Sequence, residues 1–169
     1  LVLTKLHAGG KFDNHVYKVA GGLHGVGVSA VNALSTHLTA QVKRDGNLYE
    51  QEFKRGVPVA PVKKIGKATG TGTTITFEPD ATIFPEIAFN KTTIIEHMRH
   101  HAYLTAGVRM TFSDEREEAA SHYAFYFEGG IASYVRYLNV DSKPLQEEVF
   151  AMKREADNIL TEIAVQYVD

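Results

Sequence analysis

The chain of 169 residues contains no cysteine. Disulfides, thiolate zinc sites and cysteine nucleophiles are therefore excluded, and the composition agrees with a reducing compartment such as the cytoplasm. No run of about 18 apolar residues is present, so no membrane span is predicted, and no signal peptide is visible. The net charge of −2 provides no general basic field that would attract nucleic acid. Contact with DNA then requires a local patch or another part of a longer protein.

Short alternating strands and a few helical stretches are predicted along the chain. Asp45-Gly46 lies between two alternating runs and indicates a β-hairpin. Helical spacing predicts helices over residues 26–34, 90–107 and 129–139, the second capped by Thr92 or Thr93. Residues 1–7 are interpreted as the end of a helix or strand. The order of elements predicts an α+β fold with a mostly antiparallel sheet layered with helices.

Four glycines fall within seven positions, at residues 21, 22, 25 and 27. Glycine loses much conformational freedom on folding, so this cluster indicates a place where the backbone itself has a role. A phosphate cradle is one interpretation, because glycines allow backbone N–H groups to approach an anion. It is not a P-loop, since no Lys-Ser or Lys-Thr follows the cluster. A close-packed helix entry that binds nothing is the second interpretation.

A dinucleotide-binding fingerprint of a Rossmann-type oxidoreductase is the third interpretation. Residues 25–30 fit the pattern G-x-G-x-x-A, and Asp45 follows Gly25 by 20 residues. The predicted hairpin at Asp45 counts against it, because a βαβ unit needs a parallel crossover. Lys18 also counts against it, since it stands in a run that would have to be a buried, apolar strand.

Four motifs are more specific than the glycines alone: HAGGKFDN (7–14), GGLHGVG (21–27), TGTTITFEPD (71–80) and FEGGIASYVRYLN (127–139). In order and rough spacing they resemble the ATPase subunits of bacterial type IIA DNA topoisomerases, which belong to the GHKL family. The resemblance covers essentially the whole chain. It is closer to the gyrase branch than to the topoisomerase IV branch, and the second branch remains an alternative.

The resemblance implies a Bergerat-type two-layer α/β sandwich that binds ATP and Mg²⁺. Residues 1–128 would form part of the ATPase domain, with an ATP lid over residues 7–27, and residues 129–169 would begin the transducer domain. Arg44 matches an arginine at the pocket rim that contacts aminocoumarin inhibitors. The residues that match the family's ATP-binding pattern are Gly10, Lys11, Tyr17, Gly22, Leu23, His24, Gly25, Val26, Gly27, Val28 and Thr73.

The same resemblance implies that the catalytic glutamate and the magnesium-binding asparagine lie before Leu1. No catalytic residue and no metal ligand is therefore predicted within this chain, and the chain alone is expected not to hydrolyse ATP. The implied partners are DNA through the full enzyme, the DNA-wrapping subunit (gyrase A in the gyrase branch), and a second copy of the ATPase subunit when ATP binds. The implied location is the cytoplasm, without contact with a membrane.

Two other patterns are weak. His97 and His101 lie one helical turn apart, a spacing that can bind metal, but no third ligand is evident. Ser29 lacks the G-x-S-x-G context of a hydrolase nucleophile.

Overall fold

A computed structural model describes residues 1–8, 24–157 and 159–169. The chain divides into two compact units, Leu1–Ala88 and Phe89–Asp169. The domain boundary between residues 128 and 129 stays a prediction. No helix in the described part of the chain is long and apolar enough to cross a membrane.

The first unit is a short helix and an antiparallel sheet. Its elements are α1 (Gly27–Ala33), β1 (Ser35–Arg44), β2 (Asn47–Lys54), β3 (Val57–Pro58), β4 (Lys63–Lys67) and β5 (Gly72–Pro79). The hairpin at Asp45-Gly46 is confirmed, with Arg44 paired to Asn47 and both turn residues at positive φ. Strand order is β3-β2-β1-β5, with β4 also paired to β2. Antiparallel pairing of β1 with both β2 and β5 is incompatible with the βαβ unit of the Rossmann interpretation.

The core of the first unit lies between α1 and one face of this sheet. Leu38 and Phe53 are opposite each other on β1 and β2 and are almost fully buried. Val31 of α1 and Leu3 pack against them and Ala40. Residues 1–7 form turns, with Leu1 O accepting from the amides of Thr4 and Lys5. The second bond spans four residues, as in one turn of an α-helix, and the prediction that these residues end a helix or strand stays a prediction.

The second unit contains two helices and two hairpins. Its elements are α2 (Lys91–Leu104), β6 (Met110–Asp114), β7 (Ser121–Phe125), α3 (Gly130–Leu138), β8 (Phe150–Ala156) and β9 (Ile159–Val165). The pairs β6-β7 and β8-β9 are antiparallel. Asn90 caps α2, because its side chain accepts from the amide of Thr93 at 3.0 Å. The predicted cap at Thr92 or Thr93 is therefore wrong by two or three residues.

Aromatic side chains hold the two helices of the second unit together. Tyr103 of α2 is 4% exposed and stacks on Phe127 at 3.8 Å between ring centroids. It also stacks on Tyr134 of α3 at 5.0 Å. Ile95, Ala102 and Phe125 form the adjoining buried cluster. Stacked pairs of this kind add to the free energy gained from burial alone.

Candidate functional site

The chain enters α1 through a loop that contains His24, Gly25 and Val26. Gly25 has φ +62°, a backbone conformation that other residues adopt only with strain. Val26 occupies the N-cap position and makes no side-chain capping hydrogen bond. The N–H groups of a first helical turn have no partner within the helix. They are therefore donors that a ligand or water can use.

Gly27 differs from Gly25 in what the fold requires of it. Among the described residues, a Cβ atom built on Gly27 would meet no atom within 4 Å, and Gly27 has no positive φ. The described part of the fold does not itself demand glycine at this position. The absence of a side chain leaves free space beside the backbone, as close approach by a ligand would require.

The register of the sheet brings Thr73 and Arg44 to the face on which α1 packs. Thr73 on β5 is opposite Val42 on β1, and Arg44 lies two residues further along β1. Residues two apart share a face, so both lie on the face that carries the buried Leu38. Arg44 Nε is 3.4 Å from Asp45 Oδ2 in an exposed ion pair. Such pairs contribute little, so the pair does not hold the guanidinium firmly in place.

The predicted site residues therefore fall into three groups. Residues 24–28 are contiguous at the start of α1, and Thr73 and Arg44 lie on the sheet face that α1 covers in part. Ile75 and Phe77 follow Thr73 on the same face and are 36% and 42% exposed. The remaining predicted residues lie outside the described residues: Gly10, Lys11, Tyr17, Gly22 and Leu23.

Buried polar side chains next to α1 were missed by sequence reasoning. Asn32 is 0% exposed, and its Nδ2 donates to Leu3 O at 2.8 Å. Ser35 is 1% exposed, and its Oγ donates to Val31 O at 2.6 Å. The signal available in the sequence was a polar residue inside an otherwise apolar helical run, SAVNALS. A buried polar residue of this kind is informative because burial is costly without a hydrogen bond.

Asp80 connects the end of α1 with the loop that follows β5 and the turn after β2. Its carboxylate accepts from Arg55 Nε at 2.6 Å, from Thr82 N at 2.9 Å and from Thr82 Oγ1 at 2.7 Å. The hydrogen bond from Arg55, followed by those from Thr82, lowers the pKa of Asp80 to about 2. The amide of Asp80 donates to Leu34 O. An aspartate two residues before a threonine is the pattern of an Asx turn, which could have been found in the sequence.

The described residues offer donors for an anion but no set of metal ligands. No group of three or more His, Asp or Glu side chains among them could hold a metal ion. The rings of His97 and His101 are 6.4 Å apart, without a third ligand among these residues. Among the described residues, the start of α1 therefore provides backbone N–H donors, and no group of side chains forms a metal centre.

Comparison with known proteins extends over the whole chain. No family model matches it. The B subunit of DNA gyrase from Staphylococcus epidermidis is 46% identical over 168 residues, which are 99% of this chain and 26% of the relative. Its counterpart from Halalkalibacterium halodurans is 47% identical over 170 residues, covering 100% of this chain and 26% of the relative. The chain thus spans about a quarter of the length of these curated relatives.

A solved structure agrees with this relationship. The 43K ATPase domain of Thermus thermophilus gyrase B, in complex with an aminocoumarin, superimposes with a TM-score of 0.81 and 29% identity. The match covers 99% of this chain and 41% of that chain. The chain therefore has the mixed α/β fold of that ATPase domain, and the fold prediction is confirmed. The particular relationship is to gyrase B, and the topoisomerase IV alternative gains no support from these relatives.

Proposed function

We propose that this chain is the phosphate-binding part of the ATP site of a gyrase-type DNA topoisomerase. In the whole protein, ATP binding would bring two copies of the ATPase subunit together and close a gate around a DNA segment. Hydrolysis would then reset the gate and allow strand passage with negative supercoiling. The partners in this proposal are DNA, gyrase A and a second copy of the same ATPase subunit, in the cytoplasm.

One observation carries the proposal: the glycine loop at residues 24–27 leads into an uncapped helix in a chain related throughout to gyrase B. Backbone N–H groups that point to a phosphate form charge-assisted hydrogen bonds, which are stronger than neutral ones. The positive φ of Gly25 and the open space at Gly27 suit such an approach. Thr73 and Arg44 would contact the base and the pocket rim from the sheet.

The residues present fit the phosphates better than they fit a metal ion. Mg²⁺, when bound, would neutralise phosphate charge, but the described residues supply no group of ligands for it. The ligand would then come from another part of the full-length protein, together with the general base. We therefore expect the 169-residue chain alone to release no phosphate from ATP, since loss of a general base costs about 10²–10⁴-fold in rate.

The proposal is tested by titrating the full-length protein with ADPNP, an ATP analogue that is not hydrolysed. Gly25→Val should weaken ADPNP binding by about 100-fold, because a branched side chain at positive φ displaces the N–H donors. His24→Ala is the matched control, because a contact through the backbone N–H survives loss of the imidazole. Its binding should change by less than about threefold.

The relative effect of the two substitutions shows whether the main chain or the side chains hold the phosphates. Equal losses in Gly25→Val and His24→Ala would show that side chains, and not the main chain, hold the phosphates. Full-length wild-type protein that binds no ADPNP would contradict the proposal as a whole.

A further inference from the structure

Asn32 connects two parts of the chain that are distant in sequence. Its Nδ2 donates to Leu3 O at 2.8 Å, across 29 residues. Leu3 in turn packs against the buried cluster formed by Leu38, Ala40 and Phe53. The side chain of Asn32 is fully buried. Asn32 thus joins a turn that precedes the candidate loop in the chain to the helix that follows this loop.

The second polar atom of the Asn32 side chain, Oδ1, is also buried. It has no hydrogen-bond partner among the described residues. A buried acceptor left unpaired costs free energy, but an apolar residue at this position would leave Leu3 O without its donor. The directional bond to Leu3 O is what Asn32 supplies and an apolar residue cannot.

The length of α1 explains why its orientation needs an outside contact. The helix has seven residues and no side-chain cap. A helix this short is marginal by itself, so tertiary contacts must set its position. Val31 supplies apolar contact with the core, which is non-directional. The hydrogen bond from Asn32 is directional and fixes the rotation of the helix about its axis.

We propose that Asn32 is a positioning residue for the loop at residues 24–28. By fixing the rotation of α1 against the turn at Leu3, it aims the N–H groups at the start of the helix toward a single anion position. It makes no contact with the nucleotide in this proposal. The proposal rests on the proposed function of nucleotide binding.

Ser35 provides a matched control on the same stretch of chain. It is 1% exposed, and its Oγ donates to Val31 O, four residues before it. This hydrogen bond is local and does not connect α1 to a distant segment. If burial of a polar group were the property that matters, substitutions at Asn32 and Ser35 would affect nucleotide binding alike.

The experiment uses the full-length protein with Asn32→Leu and Ser35→Ala. In Asn32→Leu, the Kd for ADPNP and the KM for ATP should rise about tenfold, while kcat stays within about twofold of wild type. The melting temperature should fall only modestly, because the lost hydrogen bond to Leu3 O is partly offset by removal of the unpaired acceptor. In Ser35→Ala, Kd, KM and kcat should remain unchanged.

A second variant keeps the test valid if Asn32→Leu does not fold. Asn32→Ser carries a hydroxyl that is too short to reach Leu3 O, and it should show the same rise in Kd and KM. Unchanged ADPNP affinity in a folded Asn32 variant would overturn the proposal, as would equal losses in Ser35→Ala. Wild-type protein without ADPNP affinity would overturn the proposed function itself, which is a separate result.

Discussion

The two compact units bury different kinds of side chain. In the first unit, Ser29, Asn32, Ser35 and Asp80 are buried beside the apolar cluster of Leu38, Ala40 and Phe53. In the second unit, the buried side chains are apolar or aromatic: Ile95, Ala102, Tyr103, Phe125 and Val149. Buried polar groups are costly unless they are hydrogen-bonded, but their bonds are directional. The difference indicates that the first interior serves to orient α1 and its loop, and the second serves chiefly to pack.

The two units also differ in net charge. Residues 1–88 contain ten Lys and Arg against seven Asp and Glu, whereas residues 89–169 contain eight against thirteen. The net charge of −2 for the whole chain therefore conceals a positive first unit and a negative second unit. A positive unit favours the approach of an anion such as a nucleotide phosphate. The buried polar side chains and the net positive charge are thus both found in the first unit, which contains the loop proposed to bind phosphate.

The largest effect is expected from Tyr103→Ala in the second unit. Removal of this buried ring, stacked on Phe127 and Tyr134, should lower the free energy of unfolding by about 3–5 kcal/mol. Denaturant unfolding of the full-length protein measures this change, and Tyr137→Ala, at a residue 41% exposed, is the milder control. ADPNP affinity of the folded protein should not change. A loss of ADPNP affinity at normal stability would show that the interior of the second unit contributes to nucleotide binding as well.

Two glycines, one in each unit, should respond to substitution in opposite ways and with smaller effects. Gly130 has φ +51°, and a Cβ there would lie 3.2 Å from Ala106 Cβ. Gly130→Ala should therefore lower the free energy of unfolding by about 1–2 kcal/mol without changing ADPNP affinity. Gly27→Ala should show the reverse, with normal stability and weaker ADPNP binding. Thermal unfolding measures the stability of both variants, and titration measures their ADPNP affinity. Loss of the same property in both variants would contradict the different roles proposed for the two glycines.

Two carboxylates allow a comparison by pH. Arg55 and Thr82 hold the pKa of Asp80 at about 2, and Arg116 holds that of Asp114 at about 2. Both values lie below the unfolded value of about 3.9. Their stabilisation is therefore complete above about pH 4 and is lost as the pH falls through about 2.

Asp80→Asn and Asp114→Asn should each flatten the fall in melting temperature between about pH 5 and pH 2, and to a similar extent, because the two pKa shifts are alike. Thermal unfolding of the full-length protein over this range is the measurement. A fall that stays as steep as in wild type in either variant would show that the carboxylate concerned does not contribute to acid unfolding.

The smallest effect is expected at an ion pair in the β8-β9 hairpin. Lys153 Nζ is 2.6 Å from Glu162 Oε1, with side chains 61% and 35% exposed. Lys153→Ala should change the free energy of unfolding by less than about 1 kcal/mol, because exposed pairs contribute little. Unfolding at low and high salt measures this, and a larger change would mean that charge, and not only aromatic packing, holds the second unit.

Local patterns predicted most of the elements of this fold. The Asp45-Gly46 turn fixes the hairpin because both positions need positive φ, and these residue types supply it. The helix over residues 91–104 follows from apolar spacing and ends before Gly107. The cap at Asn90 was missed because Asn and Thr compete for this role, and only the geometry decides between them.

The candidate site was predictable only where the backbone forms it. The loop at residues 24–28 is visible in its glycines, and the resemblance to known ATPases added Thr73 and Arg44. Asn32 and Asp80 were missed because their roles depend on contacts with Leu3 and Arg55, which are distant in sequence. Single-sequence patterns report spacing along the chain and carry little information on such tertiary contacts.

Backbone hydrogen exchange of the full-length protein, with and without ADPNP, reports directly on whether the loop at residues 24–28 holds the phosphates. Amides of residues 24–28 should exchange at least about tenfold more slowly when ADPNP is bound, because they donate to its phosphates. Amides of the β8-β9 hairpin should exchange at the same rate in both states. Unchanged exchange at residues 24–28, under conditions in which titration shows that ADPNP is bound, would contradict the conclusion that this loop holds the phosphates through its backbone.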